Sequence, residues 1–201
     1  MIVRSWRPGD ARAVHRICVQ TGDAGDPVHP ILDDPDLVAY VFADPYLLLQ
    51  PELAFVAESG GTVLGYVVAA LHTEEFYARW QFEWAPRFAA THPASRRVDA
   101  GSADSQLRAF LHRPRLMVPP HLDRYPSHLH INLLPGARRR GAGKQLMHAL
   151  FRQLARAGSP GVQLGVRVDN TRAQAFYRAT GMSRLASDDR AEVRFGLPLN
   201  G

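Results

Sequence analysis

The segment that most restricts this chain runs from His128 to Lys144, where an alternating stretch leads through a loop of glycine and arginine into an apolar helical stripe. Leu129, Ile131 and Leu133 alternate with His128, His130 and Asn132, which is the period of a strand with two unlike faces. Pro135 and Gly136 end it. From Gly141 to Ala157, the residues Leu146, Met147, Leu150, Phe151 and Leu154 share one helix face, and Gly158 with Pro160 closes that helix. The loop between, Arg138-Arg139-Arg140-Gly141-Ala142-Gly143-Lys144, therefore stands at a helix N-terminus. There the first backbone N–H groups lack intrahelical partners and the macrodipole adds partial positive charge, which attracts phosphate. Gly141 and Gly143 leave room for an anion to approach the backbone. Arginine and lysine side chains add charge-assisted hydrogen bonds to the same oxygens.

Other phosphate loops fit less well. A Walker loop requires glycine where Arg138 stands and a hydroxyl where Gln145 stands, which argues against a nucleoside triphosphatase. The dinucleotide fingerprint requires a third glycine at the position of Leu146. An RNA-binding domain would need aromatic residues interleaved with the basic cluster as a stacking platform, and there are none, so no nucleic-acid partner is expected. A basic turn that binds nothing remains an alternative for these residues taken alone.

Composition sets the outer bounds. A chain of 201 residues with 46% hydrophobic and 21% charged residues suits one soluble globular domain over 1–201. The formal charge is +5, carried by 23 arginines and one lysine, Lys144; the position of that charge decides more than its sum. No apolar run approaches the roughly 18 residues of a membrane span, and the opening MIVRSWRPGD lacks a signal-peptide apolar region, so a cytoplasmic address is expected. The single cysteine, Cys18, falls among Val14 and Ile17 and reads as a small core residue. Nine histidines are scattered without metal-ligand spacing, and no metal is expected.

Along the chain, Ile2 to Ser5 reads as a strand and Val14, Ile17 and Cys18 as the buried face of a helix after Pro8, Gly9 and Asp10. Thr21 to Pro35 is a Gly-, Asp- and Pro-rich loop, followed by a helical turn carrying Leu37, Val38, Val41 and Phe42. Leu53 to Glu58 and Thr62 to Leu71 form a hairpin around Ser59, Gly60 and Gly61. An insertion at about 73–127 follows: aromatic residues at helical spacing (Phe76, Tyr77, Trp80, Trp84, Phe88), a polar loop His92 to Gly101, and a short helix Ser102 to His112. After the segment at 128–157 come a strand with Val162, Leu164, Val166 and Val168, a helix from Thr171, and a last strand Glu192 to Gly196. Hairpins first and a strand–helix–strand unit later imply an α/β fold built on a mixed sheet.

Two motifs together resemble the GNAT family of acetyltransferases. Arg138-x-x-Gly141-x-Gly143 is similar to the family's [QR]-x-x-G-x-[GA] signature. Asn170-Thr-Arg-Ala173-Gln-Ala-Phe-Tyr177-Arg-Ala-Thr-Gly181-Met is similar to its N-x-x-A-x-x-[FL]-Y-x-x-x-G-F segment. The likeness is firm over about residues 128–196. Within the family, Tyr125 to Pro135 and Gly158 to Gly165 look most like the acetyltransferase-like domain attached to some O-GlcNAc hydrolases and its stand-alone bacterial relatives.

The resemblance implies a central mixed sheet splayed between its fourth and fifth strands, with helices on both faces. It implies acetyl-CoA as cosubstrate, its pyrophosphate on Arg138, Arg139, Arg140, Gly141, Ala142, Gly143 and Lys144. Its pantetheine arm would pair with the backbone of Asn132, Leu133 and Leu134 beside Asn170 and Ala173. Tyr177 would be the general acid near the sulfur, and a backbone N–H near Leu133 would polarise the thioester. The acceptor would be an amine of a small molecule or a protein, and the chain a monomer or homodimer. His130 and Asn132 are the catalytic candidates on the strand, with His suited to accept a proton near neutral pH. Family members commonly carry an acidic residue where this chain has Asn132. Asp123, Glu75 and Glu83 are weaker candidates for the base, since loop carboxylates are usually just solvated, and water remains another route. His128, Trp80 and Trp84 are candidate acceptor walls, with core packing an equal reading for the tryptophans. A non-catalytic acyl-CoA-binding or protein-interaction module of the same fold is the alternative function.

Overall fold

The computed structural model describes residues 1–28, 31–94 and 102–199. The first strand, β1 (Ile2–Ser5), leads through a 3-10 turn into α1 (Ala11–Thr21), whose Val14, Ile17 and Cys18 are buried. Two short helices follow, α2 (Leu37–Phe42) and α3 (Asp44–Leu49). The second was not anticipated. It begins with Pro45 in its first turn, a position proline tolerates because that N–H has no helical partner. The hairpin forms as expected from β2 (Phe55–Ser59) and β3 (Thr62–Ala70).

The insertion supplies α4 (Thr73–Glu83) and α5 (Ala103–His112), the latter capped by the Ser102 hydroxyl, which accepts the Ser105 N–H at 3.2 Å. Of the expected polar loop His92 to Gly101, residues 95–101 lie outside the described residues. Then come β4 (Ser127–Leu133), α6 (Ala142–Arg156), β5 (Gly161–Arg167), α7 (Thr171–Ala179), a two-residue β6 (Ser183–Arg184) and β7 (Glu192–Pro198).

The seven strands form one mixed sheet in the order β1-β2-β3-β4-β5-β7-β6, antiparallel everywhere except between β4 and β5. Period-two alternation sends neighbouring residues of each central strand into different cores. Tyr66, Val68 and Ala70 of β3 join the core under α1 to α5, while Val67, Ala69 and Leu129 join the one under α6. In α6 the stripe Leu146, Met147, Leu150, Phe151 and Leu154 is buried against the sheet, each such side chain contributing roughly 1.5–3 kcal/mol of apolar transfer. No helix among the described residues is long and apolar enough to cross a membrane.

Candidate active site

The parallel pair β4–β5 holds together at only two register positions, Ser127 opposite Val162 and His128 opposite Gln163. Beyond them the strands separate while β4 stays paired with β3 down to Leu133. Leu134 donates its N–H to the Leu64 carbonyl at 2.9 Å. In an antiparallel ladder that pairing alternates, so Asn132 and His130 also turn their backbone groups to β3, and those of Ile131 and Leu133 turn into the gap. The Leu133 carbonyl there accepts a bond from Arg138 Nε at 3.0 Å. The Leu133 N–H and both backbone groups of Ile131 remain for a polar partner. Leu134, with its N–H committed to β3, is not such a donor.

The loop from Arg138 to Lys144 adjoins this gap, where Arg138 bonds Leu133 and Gly143 lies beside the Leu133 side chain. Gly141 is the N-cap of α6 at φ 79°, a left-handed conformation that a Cβ would strain, and Arg139 two residues earlier has φ 59°. Arg139, Arg140 and Lys144 are exposed and have no ion-pair partner among the described residues. Ala142 is buried under the helix. Gly143 also has a packing reason that was not expected of it. A Cβ there would meet the Phe176 ring at 3.0 Å and the Leu133 side chain at 3.6 Å, so this glycine admits α7 against α6 and the end of β4. Arg138 does not point outward with its neighbours. Besides Leu133, its guanidinium holds the Gly25 carbonyl, while Arg172 donates to Ala24 at 2.8 Å and Arg167 pairs with Asp23 at 2.6 Å. Three arginines thus tie the Asp23–Gly25 segment to the loop, to α7 and to β5.

On the far side, Asn170 caps α7: its Oδ1 accepts the Ala173 N–H at 3.0 Å, and its Nδ2 has no partner among the described residues. Tyr177 is 9% exposed, packed between Phe176 and Phe195, and burial pushes its phenol up to about 12. Its hydroxyl makes no hydrogen bond among the described residues.

The polar face of β4 looks the other way, into the helices α1 to α4. His128 Nε2 lies 2.7 Å from the Tyr46 hydroxyl and 3.5 Å from that of Tyr77, and its Nδ1 is 2.8 Å from Thr73 Oγ1. His130 Nε2 reaches the same Tyr46 hydroxyl at 3.0 Å, and Phe42 covers its ring at a 5.1 Å centroid distance. Burial pushes the His130 imidazole down to about 4 and, aided by His130 and Arg194, holds His128 well below the ordinary range. Both are neutral at pH 7. Asn132 is spent on structure: Oδ1 accepts from Tyr66 at 3.1 Å, and Nδ2 donates to Thr21 Oγ1 at 2.9 Å and to its carbonyl at 3.2 Å.

Several expected residues fall elsewhere. Trp80 is fully buried, its indole N–H bonded to the Leu111 carbonyl at 2.9 Å, so it braces α4 against α5 and lines no opening. Trp84 is 9% exposed and bonds the Tyr40 carbonyl at 2.9 Å. Glu75 and Asp123 are exposed, and Glu83 is paired with Arg79 at 2.8 Å, which lowers its carboxyl from the usual range. Cys18 is buried, its thiol pushed up to about 12 by desolvation. Tyr46, Thr73 and Tyr77 were not anticipated, since their partners lie 51 to 82 residues away in sequence. Among the described residues no group of His, Cys, Asp or Glu could hold a metal.

Known proteins match this arrangement. The model of the acetyltransferase (GNAT) family matches residues 116–182, which take in the gap, the loop and α7. Protein O-GlcNAcase of Rattus norvegicus is 24% identical over 186 residues, 92% of this chain and 20% of its own; the chain thus spans about a fifth of that relative. The crystal structure of SsHAT is 38% identical, with a TM-score of 0.94, covering 100% of this chain and 98% of that one. PaiA N-acetyltransferase from Thermoplasma acidophilum, solved in complex with coenzyme A, shares the fold at 11% identity and a TM-score of 0.59, with 98% of both chains covered. With its two signature segments at the mouth of a splayed mixed sheet, and a near-full-length relative of the same architecture, this chain belongs to the GNAT family of acetyltransferases.

Proposed function

We propose that this protein is an acetyl-CoA-dependent N-acetyltransferase that moves an acetyl group to an amine of a small molecule or a protein by direct attack in a ternary complex. The observation that carries this reading is the gap after two β4–β5 register positions, which leaves the backbone of Ile131 and Leu133 without partners on β5, with Leu133 beside Gly143 in the first turn of α6. A pantetheine arm has amides that suit those backbone groups. A pyrophosphate suits the N–H groups of Ala142, Gly143 and Lys144 together with the free side chains of Arg139, Arg140 and Lys144. The coenzyme A bound to PaiA supports the same cosubstrate here.

Bound, acetyl-CoA supplies an activated acetyl group and a thiolate leaving group. The chain's own residues do the rest. The Leu133 N–H points into the gap, as a donor for the carbonyl oxygen must. His130 stays neutral at pH 7 with a ring nitrogen able to accept the amine proton. Tyr177 keeps its phenolic proton at any working pH and can donate it to the thiolate. Asn170, whose Nδ2 its capping bond leaves free, and Ala173 are assigned to the pantetheine arm on the strength of the family resemblance.

Calorimetric titration with coenzyme A, followed by thioester turnover with an alkylamine, an arylamine and a lysine peptide, tests this. Absence of coenzyme A binding rejects it. Binding without turnover on any amine selects the acyl-CoA-binding module instead, a reading that the wholly structural use of Asn132 favours.

A further inference from the structure

The buried polar chain beneath β4 has one self-consistent arrangement of protons. Thr73 Oγ1 lies 2.7 Å from the Pro126 carbonyl, a separation that two oxygens keep only with a hydrogen between them. The carbonyl cannot supply it, so the Thr73 hydroxyl does. That hydroxyl has no second proton, and the 2.8 Å contact from His128 must run from an Nδ1–H. Neutral His128 then has a bare Nε2, which accepts the Tyr46 O–H at 2.7 Å. Tyr46 has no further proton for His130, so at 3.0 Å its oxygen accepts the His130 Nε2–H. What is left on neutral His130 is a lone pair at Nδ1. That atom has no partner among the described residues, and the residue that carries it is half-buried.

We propose that Tyr46 is a positioning residue that holds His130 as its Nε2–H tautomer, so that Nδ1 presents the lone pair to the acceptor amine. The proposal rests on the reading of His130 as the base. In the step it serves, the amine gives its proton to His130 Nδ1, and the imidazolium keeps its Nε2–H on the Tyr46 oxygen. Release of that proton from Nδ1 to water restores the neutral ring. No proton crosses to His128. Thr73 and His128 act behind Tyr46 by orienting its hydroxyl, the arrangement in which a base is set by a second group and that group by a third.

The fold fixes this placement tightly. Tyr46 is 1% exposed, stacked on Phe76 at 4.5 Å and 23°, and lies in the first turn of α3, a helix anchored at Asp44 by His15. The groups that face the two imidazoles are Tyr46 from α3, Tyr77 and Thr73 from α4, and Arg194 from β7. No carboxylate is among them, so the tautomer is selected by hydroxyl direction and not by a counter-charge.

The test is long-range nitrogen–proton NMR of the ¹⁵N-histidine-labelled full chain at neutral pH, which reads which ring nitrogen carries hydrogen. The parent should show His130 protonated at Nε2 and His128 at Nδ1. In Tyr46→Phe, His130 should populate both tautomers, and acetyl-CoA turnover should fall about 10- to 10²-fold at unchanged KM for acetyl-CoA, less than the roughly 10²- to 10⁴-fold that a general base contributes, because the base itself is retained. His130 protonated at Nδ1 in the parent overturns the proposal, as does a Tyr46→Phe protein with parental tautomers and parental turnover. Should Tyr46→Phe fail to fold, Thr73→Val serves: it must release the His128 Nδ1–H tautomer and loosen that of His130, and unchanged spectra refute the chain. The parent spectrum needs no activity. A parent with the expected tautomers that acetylates none of the three amines therefore rejects the acetyltransferase reading, and with it the role of Nδ1, separately from the proton arrangement.

Discussion

Arg138 is the first signature residue of the loop proposed to hold the pyrophosphate, yet its guanidinium faces inward, and the consequence can be measured. Replacement by alanine removes the bond to the Leu133 carbonyl at 3.0 Å and the bond to the Gly25 carbonyl. A bond from a charged donor is worth about 1.5–3 kcal/mol, but Arg138 is only half-buried and both carbonyls can partly rehydrate. A net loss of about 2 kcal/mol follows from halving the pair. For a chain of this size each kcal/mol moves the thermal midpoint by about 2–4 °C, so the midpoint should fall by about 4–8 °C. The double variant Arg139→Ala/Arg140→Ala should do the opposite. Both side chains are exposed, so stability should stay within about 0.5 kcal/mol. Loss of two charge-assisted phosphate contacts should weaken coenzyme A about 10²-fold. Calorimetric scanning and titration of the three proteins, repeated at higher salt, separate the effects. An Arg138→Ala protein that melts like the parent but loses more coenzyme A affinity than the double variant would refute this division of labour.

Three further outcomes are expected. His15 is pushed up to about 9, first by its bond to Asp44 at 2.7 Å and then, against burial, by the charge of Asp44 and by Asp36 at 3.1 Å. The folded state favours the protonated ring, so this stability is fully present below the unfolded value of 6.5 and fades as pH rises through 9. With a quarter of the side chain exposed, the shift is worth about 1–2 kcal/mol, and the midpoint gap between the parent and His15→Gln should shrink across that window; a constant gap would sink the assignment. Tyr177→Phe keeps the ring beside Phe195 and should bind acetyl-CoA normally while turnover drops about 10²-fold; unchanged turnover would make Tyr177 a packing residue. Trp80→Ala should cost about 3–5 kcal/mol with no selective change in acceptor preference, and a folded variant with altered amine preference would return Trp80 to the acceptor wall.

The elements that announce themselves in the sequence are those whose pattern is local. The strand at 128–133, the stripe of α6 and the Gly-bounded hairpin carry period-two or period-3.6 signals that need no knowledge of the rest of the chain. The six-residue helix α3 offers too few turns for a period, and its Asp44-Pro45 start reads equally well as a loop. The Gly- and Arg-rich loop from Arg138 to Lys144, at the start of a helix, is legible from composition and position. The reasons for two of its members are not. That Gly143 makes room for Phe176 and that Arg138 holds Gly25 are facts of tertiary contact, 33 and 113 residues removed, and no spacing rule encodes them.

The histidine pair shows the same boundary more sharply. Alternation alone places His128 and His130 on one face of β4, but two imidazoles on a strand face can be core residues, a metal fragment or a base. What separates these roles is which atoms the rest of the fold brings to each nitrogen. Here α4 brings a threonine hydroxyl to one ring and α3 brings a single tyrosine hydroxyl to both, so hydrogen-bond counting leaves one unclaimed lone pair, on the ring nearer the open end of the gap. The signature segments, which lie on the loop and on α7, contain none of Tyr46, Thr73 or Tyr77. On the proposed reading, the part that handles the cosubstrate is carried by local motifs, whereas the part that handles the acceptor's proton is assembled from β4 and the two helices α3 and α4, which no motif describes. Tyr46→Phe and Tyr177→Phe should accordingly separate: the first alters the His130 tautomer and leaves the thiolate side intact, and the second slows transfer with the His130 spectrum unchanged.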